Sequence, residues 1–286
     1  MLMETAMDIY LDGLRVKEYS QETIRAYRRD LKKFQCFLMS EREGEVRIVD
    51  IMLADLESYV LFLKETCKLQ PRSRNRYMSS LSAFFTYSVK RGWVSRNPAL
   101  WLDAAKVYNR PMSVCTEEEL CRLIEAIDQP VVRAAVEFMA KTGLRCGEAT
   151  NLKVEEIDYQ FGRIHVIAGK GGKYRSVPIA QSLLPVIQQY EQNVRNTDSP
   201  YFFATTKTGR LSAQYINFTL KRITKELGWK KKITNHSLRR TFATNLYKRG
   251  VGLETIKTLL GHESIRTTSI YLQLQEEDLR NAVDLL

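Results

Sequence analysis

The chain has 286 residues, 44% hydrophobic and 27% charged, with a formal net charge of +11. It is longer than one typical domain of roughly 100 to 200 residues, and its ordinary composition excludes collagen-like, low-complexity and largely disordered classes. The longest apolar run, Tyr59 to Leu63, is five residues, far short of the roughly 18 to 20 that cross a bilayer. The acidic start, MLMETAMDIYLDG, has no apolar core of a secretory signal. Five cysteines, an odd number with no C-x-x-C spacing, read as free thiols in a reducing compartment, and the cytoplasm is the expected location. The positive charge is spread: residues 1–110 carry 19 basic and 14 acidic side chains, and the remainder carries 25 and 19. Two basic halves suit a polyanion such as nucleic acid, although a charged surface also serves solubility alone.

The first hundred residues read as four helices. A short one is expected near residues 3–15. Ser20 can cap the next, whose apolar residues Ile24, Tyr27, Leu31, Phe34 and Leu38 are spaced 3, 4, 3, 4 and form one stripe. A third spans Leu53 to Thr66, with Leu56, Tyr59, Val60 and Leu63 inward. The fourth runs from about Ser73 to Arg91, after Pro71, with Tyr77, Leu81 and Phe84 inward and Gly92 as its stop. From Asp103 to Ser113 the periodicity is lost, so residues 103–113 are expected to link a helical domain, 1–102, to a second domain, 114–286.

The second domain opens on Thr116-Glu117-Glu118-Glu119, a capping box. Helices are predicted at about 116–127 and 131–142, the latter ended by Gly143. The period then changes: Arg163 to Ala168 and Tyr174 to Ile179 read as strands around the Gly-rich turn Gly169 to Lys173, a small antiparallel sheet. Helices resume at about 182–194, 213–227, 237–248, 253–260, 267–274 and 276–285. The fold class is therefore mainly α with a small antiparallel sheet, in two domains.

Two of the three histidines lie in short motifs near the end. His236-Ser237-Leu238-Arg239 places an imidazole and a guanidinium three apart at a helix start, where both can face an anion. His262 follows Leu259-Leu260-Gly261, and Tyr271 lies nine residues on. Upstream, Arg145 follows a helix-ending glycine in TGLRCGE, and Lys170 sits at the hairpin tip of GKGGKYR. Singly, each has an ordinary explanation as a cap, a core aromatic or a solvated lysine. In chain order, TGLRCGE, GKGGKYR, HSLRRTFATNL and LLGHESIRTTSIY resemble the motif boxes of the tyrosine recombinases of the phage integrase family. The segment YSQETIRAYRRDLKKFQCFL resembles that family's N-terminal core-binding domain, so the likeness covers almost the whole chain and is most similar to the Xer-type recombinases and transposon-encoded resolvases.

The resemblance implies a catalytic set of Arg145, Lys170, His236, Arg239, His262 and Tyr271. Tyr271 would be the nucleophile, Arg145 and Arg239 the clamp on the scissile phosphate, His236 the proton acceptor for Tyr271, His262 a donor to a phosphoryl oxygen and Lys170 the general acid. Elementary chemistry agrees. A phenol is only about 0.1% ionised at pH 7, so it needs a base or strong positive surroundings, and forked guanidiniums match phosphate oxygens as lysine cannot. Glu148, three after Arg145, reads as a brace for that arginine or for the helix start. The set is cationic or neutral with no carboxylate cluster, which disfavours a metal, and because the implied transfer to Tyr271 retains the bond energy no nucleotide cofactor is expected.

The resemblance further implies double-stranded DNA with paired inverted half-sites as partner, a homotetramer on two duplexes, and a C-terminal helix at 276–286 docking on a neighbouring protomer, with room for an accessory protein. Arg72, Arg74, Arg76, Lys230, Lys231 and Lys232 are candidate DNA contacts by position and charge. Arg240 and Asn245 depart from the commoner family pattern, which often has His at each, without touching the catalytic set. The competing readings are a catalytically silent DNA-binding protein of the same fold, strand relaxation of the type IB topoisomerase kind and, more distantly, a metal-dependent nuclease.

Overall fold

A computed structural model describes residues 1–42, 44–108, 113–167, 174–262 and 264. Lys170, Tyr271, the turn at 169–173 and the helices expected at 267–274 and 276–285 lie outside the described residues. The chain divides into two compact units, Met1–Asn109 and Arg110–Leu286. Among the described residues no helix is long and apolar enough to cross a membrane, and all five cysteines are free thiols.

The first unit is built on α1 (Met3–Val16), α2 (Gln21–Arg42), α3 (Leu53–Glu65) and α4 (Pro71–Lys90). Ser20 caps α2, its Oγ accepting the Thr23 amide at 3.2 Å. The α2 stripe is buried at Ile24, Leu31, Phe34 and Leu38, while Tyr27 stands edge-on to Tyr10 with ring centroids 5.7 Å apart. From α3, Tyr59 packs on Phe34 at 4.9 Å, and from α4, Phe84 packs on Tyr10 at 5.5 Å. Each such ring removed from water contributes about 1.5 to 3 kcal/mol, which is what holds four short helices together. The helix expected from Ser73 begins earlier: Pro71 is its first residue, because proline's fixed φ and missing N–H suit that position.

The start of the stretch expected to be a linker is tied to α4. The Asn75 side chain donates to the Ala105 carbonyl and accepts from its amide, both at 2.9 Å. Inside the bundle, Asp30 falls in the parity of the α2 stripe and is buried. It accepts from the Ser80 hydroxyl at 2.8 Å and from the Arg76 guanidinium.

The second unit begins with α5 (Glu117–Glu125), where Thr116 and Glu119 form the expected reciprocal cap. Then come α6 (Pro130–Thr142), α7 (Cys146–Asn151), β1 (Ile157–Asp158), β2 (Arg163–Ile167), β3 (Tyr174–Pro178), α8 (Leu184–Asn193), α9 (Ala213–Glu226), α10 (Asn235–Lys248) and α11 (Leu253–Leu260). The strands pair antiparallel in the order β1-β2-β3, with Ile164 opposite Val177, and their inward residues Ile164, Val166 and Val177 are buried. Phe138 of α6, Tyr190 of α8 and the adjacent Phe202 and Phe203 make the aromatic centre, with Phe138 and Phe203 centroids 5.1 Å apart. The six-residue α7 and the two-residue β1 were not expected from the sequence, since neither is long enough to show a period.

The Asp30 contact gives a stability test. Arg76→Ala removes the hydrogen-bonded cation from a buried carboxylate and leaves it only Arg29 at 3.6 Å, and because the Arg76 guanidinium is partly exposed the cost is about 2 kcal/mol rather than the larger value of a fully buried pair. Urea unfolding followed by circular dichroism measures it. A loss below about 0.5 kcal/mol, the level of an ordinary surface change, would remove Asp30–Arg76 from the account of this bundle.

Candidate active site

The ends of α6, α7, α10 and α11 and the strand β3 meet around one carboxylate. α6 terminates in a left-handed turn at Gly143, where φ is 66°. A Cβ there would lie 2.4 Å from Phe242 Cδ1, so only glycine lets α10 come this close. Two residues on, Arg145 caps α7. Its amide donates to Glu148 Oε2 at 2.7 Å and its Nη1 to Glu148 Oε1 at 2.9 Å, so the side chain of Glu148 both caps the helix and aims the arginine. The two roles considered for Glu148 are thus one arrangement. The Arg145 side chain keeps 44% of its surface exposed and reaches the Gly261 carbonyl with Nη2 at 3.5 Å.

Glu148 also receives both arms of Arg175 from β3, Nη1 to Oε1 and Nη2 to Oε2, each at 2.8 Å. Burial alone would favour the neutral acid. The Arg175 hydrogen bonds, the Arg145 amide and the surrounding guanidinium charge overcome it and bring the Glu148 carboxyl down to about 2.

From α10 come His236 and Arg239. Thr234 and Ser237 cap this helix, and Asn235 ties its first turn to α9 by donating its amide to Asn217 Oδ1 at 3.0 Å and its side-chain amide to the Ala213 carbonyl at 3.1 Å. Arg239 is 2% exposed. Its Nη1 donates to the Gly143 carbonyl and its Nη2 to the Leu260 carbonyl, each at 2.6 Å. These carbonyls are the negative ends of α6 and α11, a favourable place for a cation. The carboxylate of Glu148 lies 3.9 Å from Arg239 Nη1. The fork of Arg239 is therefore anchored at both tips in the protein, while each terminal nitrogen carries a second N–H.

α11 closes on Gly261, φ 64°, with the His262 amide donating back to Lys257 and the Gly261 amide to Thr258. This glycine-terminated turn delivers the His262 ring, 7% exposed, into the same cluster. A Cβ on Gly261 would stand 2.8 Å from Arg175 Cδ. Burial, then the charges of Arg239, Arg145 and Arg175, push His262 down to about 4. His236 has an exposed face, yet the partial loss of water around its ring lowers it as well, followed by Arg240, Arg239 and Arg145. Both imidazoles are neutral at pH 7 and can each offer one donor and one acceptor.

Of the six residues expected from the motifs, the structure thus assembles Arg145, His236, Arg239 and His262, while Lys170 and Tyr271 lie outside the described residues. Arg175 was missed. It closes the quoted GKGGKYR stretch and shares the inward parity of β3 with Val177, and an arginine in that parity was the available signal. Among the described residues no group of three His, Cys, Asp or Glu side chains could hold a metal ion. The proposed DNA contacts divide. Lys230 and Lys232 are exposed. Lys231 instead donates to the Val114 carbonyl at 2.8 Å, pairs with Glu119 and lies over the Trp229 ring. Arg72 and Arg74 stand with Arg76 in the first turns of α4, and Arg76 is paired with Asp30.

The phage integrase family pattern matches residues 113–278, and the phage integrase N-terminal SAM-like domain matches residues 7–92. The tyrosine recombinase XerC of Oceanobacillus iheyensis is 31% identical over 98% of this chain and 95% of its own length. A lambda integrase dimer bound to a COC′ core site superposes with a TM-score of 0.79 at 22% identity, over 95% of each chain. A lambda integrase tetramer bound to a Holliday junction superposes with a TM-score of 0.76 at 21% identity, over 92% of this chain and 78% of that one. The two lambda structures speak to the fold, and the matched patterns and the XerC relative to descent: the chain belongs to the phage integrase family and is similar to its Xer-type tyrosine recombinases.

Proposed function

We propose that this chain, a tyrosine-type site-specific DNA recombinase, cuts and rejoins strands through a covalent 3′-phosphotyrosine bond to Tyr271 while Arg145 and Arg239 hold the scissile phosphate. The observation that carries the reading is the meeting of these two guanidiniums with two neutral imidazoles at the Gly143 and Gly261 turns. Preorganised cations aimed at a phosphate stabilise the charge that grows in its five-coordinate transition state, and they need no rearrangement as it grows.

In the forward step the Tyr271 oxygen attacks phosphorus and its proton passes to His236. The bond from phosphorus to the 5′ oxygen breaks, and Lys170 supplies the proton that makes the departing strand a 5′ hydroxyl. His262 donates its single N–H to a phosphoryl oxygen. A 5′ hydroxyl of another strand then attacks the phosphotyrosine and releases Tyr271. One phosphodiester is exchanged for another, so no ATP is consumed, and no metal is assigned a role.

The lambda integrase structures are complexes with DNA, one a dimer on a core site and one a tetramer on a Holliday junction. By extension this chain works as a tetramer on two duplexes with inverted half-sites, in the cytoplasm where such DNA lies. Residues 276–286 dock on the neighbouring protomer and couple the active sites.

The test uses a nicked duplex carrying the chain's own binding site, selected from a random-sequence pool. Wild-type protein is expected to form an adduct that survives boiling in detergent and is released by protease. Tyr271→Phe should form none while its affinity for the same duplex stays within about threefold; adduct in that variant would move the nucleophile elsewhere. The protonation states set the pH profile. His236 titrates below the ordinary histidine value of about 6.5, so at saturating DNA the adduct rate should hold steady from neutrality to about pH 6.5 and fall in more acid solution as the base is protonated. A rate that rises on acidification would rule out His236 as proton acceptor. Deleting 276–286 should reduce complete exchange between two sites far more than binding to one, as gel assays of product and complex would reveal; full exchange by the truncated chain would discard the docking role.

A further inference from the structure

Among the described residues three guanidiniums lie within 4 Å of Glu148, those of Arg145, Arg175 and Arg239, and Arg175 has no part in the steps above. We propose that Arg175 is a positioning residue for strand transfer: by binding both oxygens of Glu148 it neutralises that carboxylate, so that Arg145 and Arg239 direct their charge to the phosphate. The inference rests on the function proposed above.

The geometry carries it. Arg175 makes a two-pronged contact with Glu148, 2.8 Å on each oxygen, whereas Arg145 uses one arm on Oε1 and its backbone amide on Oε2. A carboxylate in this place is otherwise a competitor. It lies 3.9 Å from Arg239 and is bonded to Arg145, the two cations that must bind a phosphate. Unneutralised, it would attract both guanidiniums and repel the substrate's charge in a site where screening by water is weak. With Arg175 in place both carboxylate oxygens are covered, and the charges of Arg145 and Arg239 are left for the phosphate.

The fold also fixes Arg175 from the far side. Its side chain is 16% exposed and runs against Gly261, where any Cβ would overlap Cδ and Nε within 3 Å. It therefore locks β3, the α7 cap and the His262 turn to one another. A lysine could carry the charge, but one ammonium cannot cover both oxygens in the plane of the carboxylate.

The experiment measures adduct formation at saturating nicked duplex, with affinity for that duplex measured separately. Arg175→Gln should slow the adduct about 100-fold, Arg175→Lys about tenfold, with duplex affinity within about threefold in both. Adding Glu148→Gln to Arg175→Gln removes the charge that Arg175 offsets and should recover about tenfold. A purely structural role would not produce that recovery. Thermal unfolding screens the variants, and where Arg175→Gln does not hold its fold, folded Arg175→Lys decides. Arg175→Lys at the wild-type rate, or no recovery in the double variant, overturns the proposal. Absence of adduct from the wild-type chain would instead count against Tyr271 chemistry, so the two failures are separable.

Discussion

A single carboxylate, Glu148, sets the arrangement of the catalytic unit. Its two oxygens accept from Arg145, Arg175 and the α7 cap amide, and Arg239 lies just beyond hydrogen-bonding range. Without a central anion, three guanidiniums drawn from a loop, a strand and a helix would repel one another in a place with little water to screen them. With it, each has a fixed bearing. Its own desolvation would favour the protonated acid, yet the hydrogen bonds bring it to about 2, so it stays ionised wherever the protein is folded at ordinary pH.

Two glycines make that convergence sterically possible, and they do so in different ways. Gly143 lets α6 stop against Phe242, which brings its last carbonyl within reach of Arg239, and Gly261 lets α11 stop against the stem of Arg175. Both adopt positive φ, and at both a side chain would collide with a neighbour that belongs to the site. The carbonyls exposed at these stops, at Gly143 and Leu260, then become the acceptors for the Arg239 fork. Helix termination and cation placement are here one device. Removing water from His262 by the same packing, under three nearby guanidiniums, keeps its ring neutral as a hydrogen-bond donor.

Much of this is legible in the amino-acid sequence. The 3, 4, 3, 4 spacing in α2 named buried residues directly, Thr116 and Glu119 announced their cap, and Gly143, Gly92 and Gly261 marked helix ends. Such features are local, decided by neighbours three or four residues apart. Arg145, His236, Arg239 and His262 were also legible, because short motifs carry them. Arg175 and the internal work of Arg76 and Lys231 were not, since their partners lie 27, 46 and 112 residues away and a charged residue reads as solvated until its partner is known. In retrospect Asp30 within an apolar stripe and Arg175 on the inward side of a strand broke their local patterns, and both breaks marked ion pairs.

The same distinction bears on how the positive charge of this chain can act on DNA. A net +11 suggests a uniformly attractive surface, but several cations are committed to the fold. Arg76 neutralises a buried aspartate, Lys231 holds Glu119 and the Val114 carbonyl, and Arg175 covers Glu148. Each commitment cancels a carboxylate as well, so the pairs are nearly silent at a distance and the long-range field comes from the unpaired surplus. Cations such as Lys230 and Lys232, exposed in the loop leading to the His236 helix, add to that surplus. Long-range attraction and local placement are thereby divided between residues: a diffuse exposed set that any phosphate backbone satisfies, and a cluster whose bearing is fixed by a carboxylate and two helix ends.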